Sequence, residues 1–266
     1  MRTPNAICFV TFDALYTIIK PRAPIPVQYA EAFATAGLGT LDPQAVGRAF
    51  KDAYKHANST MPAGFLRDES EFWCSIISQT ATGAGADVET TEAVLPELVP
   101  TLMRRFSTGE GYELYDDVMP SVQRLDDLRI KAGLISNSDS RILSVLSSLG
   151  ALTELQPVIV SGLEKAEKPN KLIFQLVATR AGLETHQSLH IGDELESDYR
   201  GAEGAGMKAL LLRRLGKDNA AAHVDMEKED MKGVAVVHTL TEAVDWVEEY
   251  NKEQGVHVKP DPNSPA

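Results

Sequence analysis

The sequence predicts an α/β protein: a parallel sheet flanked by helices, with an all-helical insertion near its start. Three observations predict it. A strand of the fully buried kind, Ala6–Phe12 (AICFVTF), stands alone at the beginning. Helical patterns then follow for more than a hundred residues with no second strand of that kind. After them, short apolar runs alternate with helices almost to the end, the pattern of right-handed βαβ units in a parallel sheet.

Each element has its own signal. Ala6–Phe12 is rich in Ile, Val and Phe and leads into Asp13, as suits a parallel strand covered on both faces. Val27–Gly37 carries apolar residues at helical spacing, and Pro43–His56 does the same with Asp42 placed to cap it. Asp68–Thr80 and Thr91–Phe106 complete the helical block, with Gly83-Ala84-Gly85 among its links. Pro120–Arg129 is helical, and Gly133–Ile135 is a strand entering Ser136-Asn137-Ser138. Ser140–Leu149 is a helix stopped at Gly150. Pro157–Val160 is a strand, and Asn170–Ala181 a helix between Pro169 and Gly182. Ser188–Ile191 is a strand leading to Gly192-Asp193, and Leu195–Ala205 a helix stopped by Gly206. Strands at Ala209–Leu212 and Val234–Val237 and a helix at Leu240–Tyr250 close the fold. The expected organisation is an α/β core from 1–21 and 113–250 and a helical block over 22–112. The polar stretch 251–266, with three prolines, is expected to be a disordered tail.

The 266 residues suffice for one large domain with an inserted lobe. A net charge of −12 lacks the basic stripe of a nucleic-acid binder, so no nucleic-acid partner is expected. An anionic substrate remains compatible if a few local cations gather it. No run reaches the roughly 18 apolar residues of a membrane span. The N-terminus enters a strand, with no basic region followed by a cleavable apolar stretch. The expected location is therefore the cytoplasm, with the nucleus reachable by diffusion. Cys8 and Cys74 are expected to be buried, reduced thiols, and neither a disulfide framework nor a cysteine metal site is supported. Nothing in the pattern fixes an oligomeric state.

Ligands of open parallel sheets bind beyond the carboxyl ends of the strands, and three such ends carry polar groups. Asp13 can serve as a nucleophile or a metal ligand, or simply form a turn. Gly192–Asp198 (GDELESD) sets two carboxylates five residues apart across a strand–turn–helix junction. With Asp13 they offer the hard oxygen ligands that Mg²⁺ prefers; the alternative is charge that merely suits a helix start. Ser136-Asn137-Ser138 can form an anion pocket or an ordinary cap. Lys168, fixed by Pro169, can neutralise phosphate charge as a point cation, with Lys165 as a neighbour, or be a solvated loop lysine. A second Lys-Pro pair, Lys259-Pro260, has no strand after it and is read as chance.

In order, the chain reads strand-Asp-x-x-x-Thr, apolar-Ser-Asn, Lys-Pro, apolar-Gly-Asp-x-x-x-x-Asp. This order resembles the haloacid dehalogenase superfamily over residues 6–250, most specifically in LISNSDSR and HIGDELESDYRGAEGAG. The resemblance implies a Rossmann-like parallel core with an inserted, all-helical type-1 cap. It implies Asp13 as nucleophile and Mg²⁺ ligand, and the Leu15 carbonyl as a second ligand. Asp193 would complete the metal site, and Asp198 would join it or orient it. Ser136 and Lys168 would serve catalysis, with Thr17 and Asn137 binding substrate. The cap would choose a small phosphorylated substrate, with Arg48, Tyr54, Arg67 and Trp73 as candidate contacts. The departure is Leu15, because phosphatases of the superfamily usually have Asp two residues after the nucleophile. That carboxyl protonates the leaving oxygen and then activates water, and leucine does neither. General acid–base help typically contributes about 10²- to 10⁴-fold. Tyr16, one position on, is expected to point elsewhere. Three functions follow: a Mg²⁺-dependent phosphoester hydrolase of low or unusual activity, a non-catalytic binding or scaffold protein, and a 2-haloacid dehalogenase, whose halide leaves without a proton.

Overall fold

A computed structural model describes residues 5–60, 69–215 and 229–256. The chain divides into two compact units, residues 1–20 with 114–266 and residues 21–113. The first is an α/β unit. Its strands are β1 (Phe9–Phe12), β4 (Lys131–Ser136), β5 (Val158–Val160), β6 (Ser188–Gly192), β7 (Lys208–Leu212) and β8 (Val236–Val237), in the order β5-β4-β1-β6-β7-β8. Every pairing in this sheet is parallel. β1 sits between β4 and β6, with Phe12 in register with Leu134 on one side and Ile191 on the other. The chain order therefore reverses at β1, and the carboxyl ends of β1, β4 and β6 share one rim, where such sheets bind ligands.

Both faces of the sheet are covered, which is why its strands read as apolar runs rather than alternating ones. One layer buries Phe9, Ile135, Ile159, Ile173, Phe174, Val177, Tyr199 and Leu211 together. It includes α8 (Lys171–Ala181), capped by the Asn170 side chain, whose Oδ1 accepts from the Leu172 N–H at 3.0 Å. The last helix, α10 (Leu240–Glu253), packs beside α5 (Val118–Asp127). α6 (Arg141–Ser148) and the single turns α7 (Ser161–Glu164) and α9 (Gly201–Gly204) complete the α/β unit. The expected stops at Gly150, Gly182 and Gly206 all have positive φ, at 73°, 72° and 88°.

The second unit consists of α1 (Ile25–Thr35), α2 (Pro43–Thr60), α3 (Glu69–Gly83) and α4 (Val88–Arg105). Asp42 caps α2 through the Gln44 and Ala45 amides, and Asp87 caps α4 through that of Thr90. Its core joins Phe33, Val46, Ile77, Leu98 and Leu102, with Tyr29 stacked on Phe106 at 5.2 Å. No helix among the described residues is long and apolar enough to cross a membrane.

The structure departs from the sequence reading at several points. A short ribbon pairs β2 (Ile19–Pro21) with β3 (Tyr112–Leu114); three-residue strands are too short to show a period. The helix expected over Leu195–Ala205 opens as a π-turn over Leu195–Arg200, where the Tyr199 N–H reaches back five residues to the Glu194 carbonyl at 3.2 Å. The closing helix continues past Tyr250 into the expected tail, because buried Asn251 bonds both the N–H and the C=O of Ile7, at 2.8 and 2.9 Å. The remainder of that stretch, 257–266 with Lys259-Pro260, lies outside the described residues. Both cysteines are free, but Cys74 is only half-buried, where full burial was expected.

Candidate active site

All the residues singled out at the strand ends lie in the α/β unit. Asp13 follows β1, its N–H bonded to the Ile191 carbonyl at 2.9 Å. Asp193 follows β6, and Asp198 comes from the π-turn. One oxygen from each of these three carboxylates lies within 4.8 Å of the others, and all three residues are buried. Lys168 enters from the loop before α8. Its Nζ donates to Asp13 Oδ1 at 2.5 Å, to Asp198 Oδ1 at 2.6 Å and to the Ile135 carbonyl at 3.1 Å. All three ammonium protons are thus used.

Two contacts hold this arrangement. The Asn137 side chain and the Lys168 backbone bond reciprocally: Nδ2 donates to the Lys168 carbonyl at 2.9 Å, and Oδ1 accepts from its N–H at 2.8 Å. At Gly192, a β-carbon would lie 2.2 Å from the Asp198 carboxyl, so only glycine lets the strand pass that group. The Asp198 carboxylate is fully engaged. Oδ1 meets Lys168 and His190, and Oδ2 accepts from the Glu194 N–H at 3.0 Å.

The charges are unevenly satisfied. Burial pushes the Asp13 carboxyl up to about 7 against the pull of Lys168, with Asp198 adding to the rise. Burial, then the charges of Asp13, Asp198 and Glu194, lift Asp193 to about 8. Burial works against Asp198 too, but Lys168 and His190 outweigh it and hold it below the usual carboxylate range. Burial pulls Lys168 down, yet Asp13 and Asp198 more than restore it, and its pKa is raised. The cluster therefore holds three buried carboxyl groups and one ammonium. Hard oxygen donors carrying more negative than positive charge fit a small divalent cation such as Mg²⁺.

Two expected site residues stand differently. Asn137, expected to meet substrate oxygens, bonds the Lys168 backbone once through Nδ2 and once through Oδ1, with a second N–H left on Nδ2. Thr17 was expected near substrate. It is fully buried, and its hydroxyl has no hydrogen-bond partner among the described residues, so it presents no surface to a ligand. Ser136 ends β4, buried, in register with Val160. Leu15 forms an isolated bridge with Ile19. Tyr16 has φ 64°, in the left-handed region, which breaks the alternation expected to turn it away. Its pKa is raised by burial and then by the Asp193 charge.

A family model described as haloacid dehalogenase-like hydrolase matches residues 15–206. The chain belongs to the haloacid dehalogenase-like hydrolase family. A Danio rerio member described as haloacid dehalogenase-like hydrolase domain-containing protein 3 is 29% identical over 233 residues, spanning 86% of this chain and 93% of its own. A glyceraldehyde 3-phosphate phosphatase of Methanopyrus kandleri is 27% identical over 214 residues, 79% of this chain and 84% of its own. Among solved structures, a 2-haloacid dehalogenase from Pseudomonas syringae pv. Tomato DC3000 superposes with a TM-score of 0.62 at 18% identity, over 92% of this chain and 99% of that one. At that identity the likeness speaks for the fold alone.

The sequence reading of this haloacid dehalogenase-like hydrolase missed His190. It pairs in register with Thr11 inside the sheet, and the Thr11 hydroxyl lies 2.8 Å from its Nδ1. Its Nε2 is 3.1 Å from Asp198 Oδ1. Burial lowers its pKa, so the ring is neutral. In a neutral ring with its Nε2–H facing the Asp198 carboxylate, Nδ1 is an acceptor for the Thr11 hydroxyl, which also lies 3.3 Å from the Leu189 carbonyl. The available signal was a lone titratable side chain in the apolar run SLHIG. Of the expected cap contacts, Arg48 lines a groove between α2 and α3 with Asp52, His56 and Gln79. Tyr54 packs against Trp73 at 6.4 Å, and Arg67 lies outside the described residues.

Proposed function

We propose that this chain is a Mg²⁺-dependent phosphoester hydrolase of low or unusual activity, acting on a small phosphorylated molecule. The observation that carries the reading is the Asp13 carboxylate held at 2.5 Å by Lys168, with Asp193 and Asp198 beside it. Asp13 is the nucleophile: one oxygen is fixed by the ammonium, leaving the other for phosphorus. Attack forms an Asp13 oxygen–phosphorus bond and breaks the phosphorus–alkoxide bond, the alkoxide taking its proton from solvent; water then attacks the acyl phosphate, releasing inorganic phosphate and restoring the Asp13 carboxylate. Lys168 offsets the charge that accumulates on the transferred group, and Ser136 with the backbone amides after β4 receives its oxygens. Asp13, the Leu15 carbonyl and Asp193 would hold the cation, while Asp198, saturated by Lys168, His190 and the Glu194 amide, orients the lysine. When bound, Mg²⁺ supplies positive charge that polarises the phosphoryl oxygens. Leu15 provides no proton for the leaving oxygen and no base for water, so good leaving groups are favoured. The phosphatase among the relatives agrees with this chemistry. The helical unit is the counterpart of the family's cap, and the cytoplasm is the expected location.

Hydrolysis of p-nitrophenyl phosphate with Mg²⁺, abolished in Asp13→Asn, tests the reading, because the aryl leaving group needs little protonation. Leu15→Asp should raise turnover of alkyl phosphates by about 10²-fold, the lower end of general-acid effects. The second reading, a non-catalytic binding protein, is favoured by Leu15 itself. Mg²⁺ binding without turnover of either phosphate by the wild type or Leu15→Asp would select it.

A further inference from the structure

We infer that Arg213 and Arg214, consecutive residues just after β7, are positioning residues that hold the two site loops carrying Asp193 and Asp13. Both arginines are buried, at 5% and 8% exposure. Arg213 Nη1 donates to the backbone carbonyl of Asp193, while its Nη2 grips both Glu229 oxygens at 2.8 and 2.6 Å. Arg214 Nη2 donates at 2.8 Å to the carbonyl of Thr17, in the loop that leaves Asp13. Its fork also takes both Asp117 oxygens at 3.0 Å, and its guanidinium lies 3.6 Å over the Tyr115 ring. Asp117 in turn accepts from the Leu240 amide at 2.9 Å, which fixes the fork to α10.

The chemistry separates this role from charge supply and from simple packing. Each guanidinium is matched by its own carboxylate, so neither adds net positive charge to the acidic cluster. Two buried ion pairs are a poor way to fill space, since desolvation offsets their attraction and apolar residues would serve as well. Both Nε atoms are left without a partner among the described residues, a cost accepted for what the Nη atoms reach. What they reach is one peptide carbonyl in each loop. Successive residues of an extended chain point to opposite sides, so two adjacent arginines at one strand end can serve two different loops.

The inference rests on the metal reading of the site. The test is calorimetric titration of the full-length chain with Mg²⁺, combined with peptide-level hydrogen exchange. Arg213→Lys keeps the charge but loses the fork. It should weaken Mg²⁺ binding by about tenfold, the scale of outer-shell losses. It should also speed exchange in the 192–199 segment, with exchange across β1 and β4 unchanged. Arg214→Lys should loosen the 13–18 segment instead. Glu229→Gln leaves Arg213 in place but frees its fork, and should give a smaller loss in the same direction, which covers an Arg213 variant that folds poorly. Wild-type Mg²⁺ affinity and exchange in folded Arg213→Lys and Glu229→Gln would overturn the inference alone. A wild-type chain that binds no Mg²⁺ would overturn the metal reading and this inference with it.

Discussion

Asp13 and Asp193 are the two residues whose charge this site satisfies least, and that sets a pH dependence. In the metal-free folded state their carboxyls titrate at about 7 and about 8, against an ordinary value of 3.8. Between pH 4 and 8 the folded chain keeps protons that the unfolded chain has released, so stability falls as pH rises through that window. Asp198 runs the other way: its contribution is present above its ordinary value and is lost only as pH falls below it. Calorimetric melts should therefore show metal-free Tm decreasing from pH 5 to pH 8, and Mg²⁺ raising Tm more at pH 8 than at pH 5. Asp193→Asn should flatten the metal-free dependence. Lys168→Met should behave oppositely, leaving two buried carboxylates without their cation at a cost of about 3–5 kcal/mol in chemical denaturation. Gly192→Ala drives a methyl into the Asp198 carboxyl and should cost about 1–3 kcal/mol, with loss of Mg²⁺ binding by titration.

At the scale of elements, the site is built by three strand ends, the loop before α8 and one turn. Asp13, Lys168, Asp193 and Asp198 were legible because each ends or follows an element with a local signature: an apolar run, a Lys-Pro step, a Gly-Asp turn. His190 and the Arg213–Arg214 pair were not, since their partners are set by tertiary contacts that follow no sequence period, from 8 to 197 residues away. The π-turn was invisible for a related reason. ESDYR has ordinary helical composition, and only the five-residue hydrogen bond shows that the turn is widened there, with Asp198 brought back over Gly192. The β2–β3 ribbon lacks the length for any period. The closing helix offers its own test. Asn251→Ala removes two buried bonds to Ile7 and should cost roughly 2–3 kcal/mol, read as a lower denaturant midpoint with unchanged m.

For the whole molecule, the sheet's central strand is the first to appear in the chain, and both of its neighbours come much later. β1 pairs with residues 131–134 and 188–191, and Ile7 is held by a residue 244 positions on. Contacts of such long sequence separation form slowly, because loop closure must precede them. The helical unit, by contrast, is one continuous stretch, 21–113, whose core is complete within it. During synthesis, then, the apolar segment around Phe9–Phe12 leaves the ribosome long before anything exists to cover it. The helices that follow are free to settle first, while that segment waits for most of the remaining chain to be translated. A ribosome stalled before residue 188 holds a nascent chain whose central strand has only half its walls.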